Sequence, residues 1–247
     1  MQFNPDSCRK SVFIGSTILS LDSLLAIEVL CIGFNISTGL GTILAVSPMT
    51  GIDLKSIEEW ITMSVTGAYQ SADVPHYPYH NLAHTQSVVA HCKEIAGYYS
   101  LPAKEVFILT AAAWFHDIGH LYGVIEGHEA RGVVLMQQYL SHLPPELTTA
   151  IANCIMATKL PSHPQALSEQ IICDSDTYHL GTMVFRQTDP LVHQEVELRK
   201  GVVIADWGRK TLLVLQRHAF FTDYCKNLLA KGKAENISWV EAQLGAD

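Results

Sequence analysis

The run VFILTAAAWFHDIGH, Val106 to His120, constrains the fold of this chain more than any other stretch. Its first ten residues hold one polar side chain, Thr110, and then His116, Asp117 and His120 follow within five positions. A segment that is apolar nearly all round reads as a helix buried on every side. Ending such a helix on two imidazoles and a carboxylate is expensive. Burial without a partner costs about 2–7 kcal/mol for a neutral polar group and more for a charge. A bound metal ion would offset that cost, and its other ligands must then lie elsewhere in the chain.

The surrounding pattern is helical. Asp53 can cap a helix from Leu54 to about Tyr69. The stretch QSADVPHYPYHN, with two prolines, reads as a loop. A helix from about Asn81 to Tyr99 places His84, Val88, Cys92 and Ile95 on one face. Pro102 suits the first position of the buried helix, which is expected to run to about Gly119. Further helices are expected from His128 to His142, through PPELTTAIANCIMATK with Pro145 near its start, and through SEQIICDSDTYHLG, ended by Gly181. From Val192 to Ala230 the pattern is again mostly helical. No stretch alternates as a strand. The expected fold is all-α, a compact helical bundle with a metal site at its centre.

The chain has 247 residues, of which 48% are hydrophobic and 16% charged, enough to bury a real core. A net charge of −8 argues against a protein that coats nucleic acid, which needs a basic footprint. The charge is uneven: nine Lys/Arg stand against eight Asp/Glu from Arg186 onward, and seven against sixteen before it. The tail cations Arg199, Lys200, Arg209, Lys210 and Arg217 are expected to face solvent, although their spacing lets one face reach a pocket mouth. Six scattered cysteines, none in a C-x-x-C pair, suit a reducing, cytoplasmic setting. Trp114 and Phe115 read as core, and His91, His142, His179, His193 and His218 as satisfied structural histidines.

Three regions follow: a hydrophobic N-terminal segment 1–51, a core domain 52–185 and a C-terminal helical extension 186–247 that packs on it. Between Ser11 and Val46 only Asp22 and Glu28 are charged, and Val29–Ser47 carries no charge. About 20 apolar residues span a bilayer, but Gly33, Gly39, Gly41 and Asn35 make a weak span. A secretory signal based on Arg9 and Lys10, or a native start near Met49, are the other readings; membrane contact through residues 11–47 is the less favoured one.

Four groups line up as ligands: His84 near the start of one helix, His116 and Asp117 near the end of the buried helix, and Asp174 or Asp176 on a later one. Bundles build metal sites in this way, from inward side chains of facing helices. Two imidazoles and two carboxylates suit Zn, Mn, Fe or Mg.

The order H…HD…D resembles the HD-domain superfamily of metal-dependent phosphohydrolases. YHNLAHTQSVV (Tyr79 to Val89) is similar to the Y-H-N-x-x-H segment of cyclic-nucleotide phosphodiesterases and of a group of bacterial HD proteins. FHDIGH is similar to their H-D-x-x-H, GHEARGVVLMQQYL to the His-Glu helix that follows, and ICDSDTYHLG to the D-A-D-x-x-x-L-G segment. The resemblance covers about Leu54 to Gly181. It implies His84, His116, Asp117 and Asp176 as metal ligands, with Asp174 behind them orienting a ligand or water. It implies His80 as proton donor to the leaving oxygen and His120, one turn after His116, as a second catalytic histidine. His128 could reach a second metal, and Lys159 could meet a substrate phosphate.

Two positions depart from the family pattern. Tyr122 stands where the phosphodiesterases have a small residue. MATKLPSHP, with Lys159 and His163, replaces the His-His pair of many multinuclear members, which puts a full second-metal site in doubt. The implied activity is hydrolysis of a nucleotide or other small phosphate ester by metal-activated water, by a chain that could be a homo-oligomer. Two alternatives are a metal- and nucleotide-binding sensor without turnover and, less favoured for want of ligands, an HD-type di-iron oxygenase.

Overall fold

The structure, a computed structural model, describes residues 53–72 and 77–245. Among them are nine α-helices and no strand: α1 (Leu54–Ser71), α2 (Leu82–Tyr98), α3 (Ala103–Phe115), α4 (His128–Tyr139), α5 (Pro145–Ala157), α6 (Leu167–Asp176), α7 (Phe185–Lys200), α8 (Trp207–Arg217) and α9 (Asp223–Leu244). Short 3₁₀ helices follow α3 (Ile118–Tyr122) and α6 (Tyr178–Gly181). The N-terminal segment, with the readings made for it, lies outside the described residues. Among the described residues no helix is long and apolar enough to cross a membrane.

Helix α3 is the axis of the bundle. Every residue from Phe107 to Phe115 is buried, and α1, α2, α5 and α6 pack around it. Thr110, the one hydroxyl in this buried run, donates to the Phe107 carbonyl at 3.1 Å, so the run carries no unpaired hydroxyl into the core. The expected Asp53 cap forms, and Asn81 caps α2. Asp53 Oδ1 accepts from the amides of Lys55 and Ser56, and Asn81 Oδ1 from those of Ala83 and His84. The Asn81 cap fixes where α2 begins, and so how far His84 reaches inward.

Several boundaries differ from the sequence expectation: α6 stops at Asp176, with a 3₁₀ turn carrying the chain to Gly181, and α9 runs past Ala230 to Leu244. Helix α3 ends at Phe115, and the chain tightens into the 3₁₀ turn that holds His120. α4 stops at Tyr139 instead of running on to His142. α7 starts at Phe185 and carries Pro190 inside it. Between α8 and α9 the chain is extended around Phe221 and Thr222, because the buried Asp174 carboxylate accepts the amides of both. Cys92, Cys154, Cys173 and Cys225 are buried free thiols.

The 3₁₀ turn after α3 and the start of α4 meet backbone to backbone. A Cβ on Gly119 would lie 2.0 Å from the His128 carbonyl oxygen, and one on Gly132 2.6 Å from that of Phe115. This approach stacks the His120 and His128 rings, 3.8 Å apart. Gly119→Ala therefore has to push α4 away. The expected cost is about 2–3 kcal/mol, seen in a thermal melt as a Tm lower by about 5–10 °C. An unchanged Tm would mean that the approach is not tight.

Candidate metal centre

His84, from the first turn of α2, His116, from the end of α3, its neighbour Asp117, and Asp176, the last residue of α6, converge. One ligating atom from each lies within 4.8 Å of all the others. His84 Nε2 stands 3.1 Å from Asp176 Oδ1 and 3.3 Å from Asp117 Oδ2. His116 Nε2 stands 3.1 Å from Asp117 Oδ2 and 3.5 Å from Asp176 Oδ1.

Two features show that this set fits a cation. His116 Nδ1 donates to the Ala113 carbonyl at 2.8 Å, which leaves the Nε2 lone pair facing the cluster. His116 Nε2 and Asp117 Oδ2 are buried and have no hydrogen-bond partner. Buried polar atoms are normally paired, and a divalent ion at the centre would satisfy both.

The electrostatics agree. Burial opposes charge on Asp117 and Asp176, yet the imidazoles around them hold both carboxylates well below the ordinary range. Burial would lower the His84 pKa, but Asp117 and Asp176 raise it to about 8. Without metal, then, His84 carries a proton near neutrality. Its folded value exceeds the ordinary 6.5, so its contribution to the stability of the metal-free protein is complete below about pH 6.5 and is lost as the pH rises through 8. A metal needs the neutral imidazole and displaces that proton. Burial would lower His116 as well, but Asp117 and Asp176 hold it well above 6.5, so loading should release protons and apparent metal affinity should rise with pH from about 6.5 upward, both measurable by calorimetry in buffers of different ionisation heat. A pH-independent affinity would contradict this arrangement.

Beside the four ligands lies a second group. The other Asp117 oxygen, Oδ1, faces His128 Nε2 at 3.4 Å and His120 Nε2 at 3.7 Å. The His80 ring stacks on His120 at 4.3 Å. His120 does not face the way His116 does, as helical spacing suggested. The 3₁₀ turn redirects it, and its Nδ1 accepts from the Arg199 guanidinium at 2.6 Å. A neutral ring that accepts at Nδ1 carries its hydrogen on Nε2, and that atom is buried without a partner. Burial pushes the His120 imidazole down to about 2, with His80, His128 and Arg199 adding to burial and Asp117 opposing it.

His80 has the opposite arrangement. Its Nδ1 donates to Glu195 Oε1 at 2.8 Å, which leaves Nε2 open. Glu195 also accepts the Tyr79 and His80 amides on Oε2, each at 2.9 Å, and Arg199 on Oε1 at 3.2 Å. Glu195 is 1% exposed. These contacts correct the expectation that Arg199 faces solvent: its side chain is 7% exposed, and it also donates to the carbonyls of His120 and Gly123. Glu195 had not been singled out. Its only signal is a Glu–Arg pair four residues apart, which an ordinary solvated helix face also carries.

Asp174 is fully buried, but it holds Phe221 and Thr222 and bonds to no ligand residue. Lys159 is exposed beyond the end of α5 and makes no ion pair among the described residues. Tyr122 is half exposed. His179 is a satisfied, half-buried histidine, bonded to the Tyr79 hydroxyl at 3.1 Å.

Comparison with known proteins gives the following. Residues 81–181 match the family model of the HD domain, a span that starts at Asn81 and ends at Gly181. The crystal structure of the Lin1889 protein from Listeria innocua superimposes with a TM-score of 0.50 at 16% identity, covering 75% of this chain and 94% of that one. At that identity the likeness bears on fold alone. No curated protein matches.

Proposed function

The chain carries an HD domain over residues 81–181, and from that premise we propose that it is a phosphohydrolase which cleaves a nucleotide or other small phosphate ester with one divalent ion held by His84, His116, Asp117 and Asp176. The observation that carries this reading is the convergence of the four ligating atoms, with His116 Nε2 and Asp117 Oδ2 buried and unpartnered at its centre. The donor set, two imidazole nitrogens and two carboxylate oxygens, suits Zn, Mn, Fe or Mg. Such an ion supplies charge neutralisation at a phosphoryl oxygen and lowers the pKa of a coordinated water.

The residues of the chain do the rest. His80, held at Nδ1 by Glu195, presents Nε2 for proton transfer to a leaving oxygen. His120 donates from Nε2 and stays neutral, so it orients an oxygen near Asp117 and does not exchange protons with it. Asp117 serves both groups, with Oδ2 on the ligand side and Oδ1 toward His120 and His128. With its hydrogen on Nε2, His120 makes this second side one that meets an oxygen of the substrate phosphate.

The test is metal content of the purified, reconstituted protein by mass spectrometry, beside a screen of phosphate monoesters and diesters. About one bound ion per chain with product release is expected. Nucleotide binding without release would favour a sensor module, and two irons per chain would favour an oxygenase.

A further inference from the structure

A cavity of about 370 Å³ opens beside the metal centre, and two of the proposed ligands, His84 and Asp176, form part of its wall. That volume falls in the range of small-molecule sites, about 300–1,000 Å³. The rest of the wall comes from α2 and the segment ahead of it, the end of α6 and the 3₁₀ turn that follows, and α7 with the residues just before it. A phosphate held at the metal therefore has this cavity in which to place what it is esterified to.

One side of the cavity is a prebuilt aromatic face. His91 lies flat on Tyr178, with ring centroids 3.7 Å apart and planes 6° from parallel. Glu94 fixes both: it accepts from the Tyr178 hydroxyl at 3.0 Å and from His91 Nδ1 at 3.2 Å. The Tyr224 hydroxyl donates to the same carboxylate at 2.5 Å. Val88, Val184 and Leu191 add apolar surface, while Ser87, Thr182 and Thr188 add hydroxyls. Ser175 Oγ, also in the wall, is buried without a hydrogen-bond partner.

What the wall lacks decides the substrate's charge. Among the described residues none of those lining the cavity is Lys or Arg, and Asp176 is its one carboxylate. The two helix starts that face it are already occupied. Asn81 Oδ1 takes the first amides of α2, and Thr182 Oγ1 accepts from the Val184 amide ahead of α7. Arg199, the guanidinium next to the metal group, is spent on His120, Glu195 and two carbonyls. A second or third phosphate would bring charge into the cavity with no cation or open amide to meet it.

We infer that this cavity takes the uncharged, ring-bearing half of the substrate, and that the substrate is a nucleoside-sized alcohol carrying a single phosphate, as monoester or internal diester, not a di- or triphosphate. The inference rests on the proposed phosphohydrolase reading for the position of the phosphate. The aromatic face of His91 and Tyr178 receives the ring, and the Ser87 hydroxyl meets its polar edge.

The test is binding of non-hydrolysable 5′-phosphonate analogues of adenosine and thymidine to the full-length, manganese-loaded protein by calorimetry. Each analogue is used alone and extended by one or two phosphates, with inorganic phosphate as reference. The single-phosphonate forms should bind at least about tenfold tighter than the extended forms and than inorganic phosphate. Leu191→Arg, which places a cation at the cavity wall, should close or reverse the gap between single and extended forms. Ser87→Trp should weaken the single-phosphonate forms while metal content is retained. Equal or tighter binding of the extended forms to the wild type would overturn the inference, as would inorganic phosphate binding as well as the nucleoside phosphonates. Release of p-nitrophenol from p-nitrophenyl phosphate and its bis-ester, on the same preparation, separates the two readings. No release with the binding order intact removes the hydrolase and leaves the cavity assignment. Release with a flat binding order does the reverse.

Discussion

Asp117→Asn should leave a folded protein that holds no metal and cleaves no phosphate ester. The change is isosteric, so α3 and the turn after it keep their packing. What changes is charge at the one residue that faces both groups of histidines. Oδ2 lies 3.1 Å from His116 Nε2 and 3.3 Å from His84 Nε2, and Oδ1 lies 3.4 Å from His128 Nε2. An amide supplies one weaker ligand oxygen and points two donors at the histidines on its other side. Asp176 alone then opposes the ion's charge. Removing metal removes several kcal/mol of transition-state stabilisation, so at about 1.36 kcal/mol per tenfold the rate should fall at least about a thousandfold. Metal content by mass spectrometry should fall toward zero while the helical circular dichroism is kept. Wild-type turnover in this variant would remove the metal mechanism altogether.

The four residues that converge could be named from sequence because each sits inside a local pattern. Asn81 caps the helix that carries His84, the apolar run of α3 ends on His116 and Asp117, and α6 ends on Asp176. Helix spacing alone left Asp174 and Asp176 as alternatives. The structure separates them by their partners: Asp174 holds the chain ahead of α9, and Asp176 faces His84 and His116. The all-α fold was legible for the same reason, since hydrophobic periodicity is a local signal. The surroundings of His80 and His120 were not legible. Glu195 meets His80 from 115 residues away, and Arg199 meets His120 from 79. Nothing near either histidine in the chain announces its partner. The turn that redirects His120 was equally hidden, because it depends on Gly119 meeting the His128 carbonyl across two elements.

Glu195→Gln should cost both stability and turnover, and the pattern of the loss identifies what Glu195 does. The carboxylate is buried and receives four donors: the Tyr79 and His80 amides on one oxygen, His80 Nδ1 and Arg199 on the other. Glutamine has one acceptor oxygen. Whichever way the amide is turned, its NH₂ faces donors. With the NH₂ toward the two backbone amides, both lose their partner inside the protein. With it toward Arg199, the guanidinium loses this bond and keeps those to His120 and Gly123, while His80 can keep a bond only by accepting at Nδ1, which leaves no acceptor for the Nδ1 hydrogen of a ring that gives up its proton from Nε2. A buried unsatisfied group costs about 1–3 kcal/mol, so Tm should drop by several degrees, about 5–10 °C. Misplacing a general acid should lower kcat by about a hundredfold, with KM nearly held, because the cavity wall is untouched. The decisive readout is the leaving group. A p-nitrophenolate departs without help, so its ester should lose little, whereas an alkyl phosphate, which needs the proton, should lose most. An equal loss on both esters would make Glu195 a packing residue and move the proton donor away from His80.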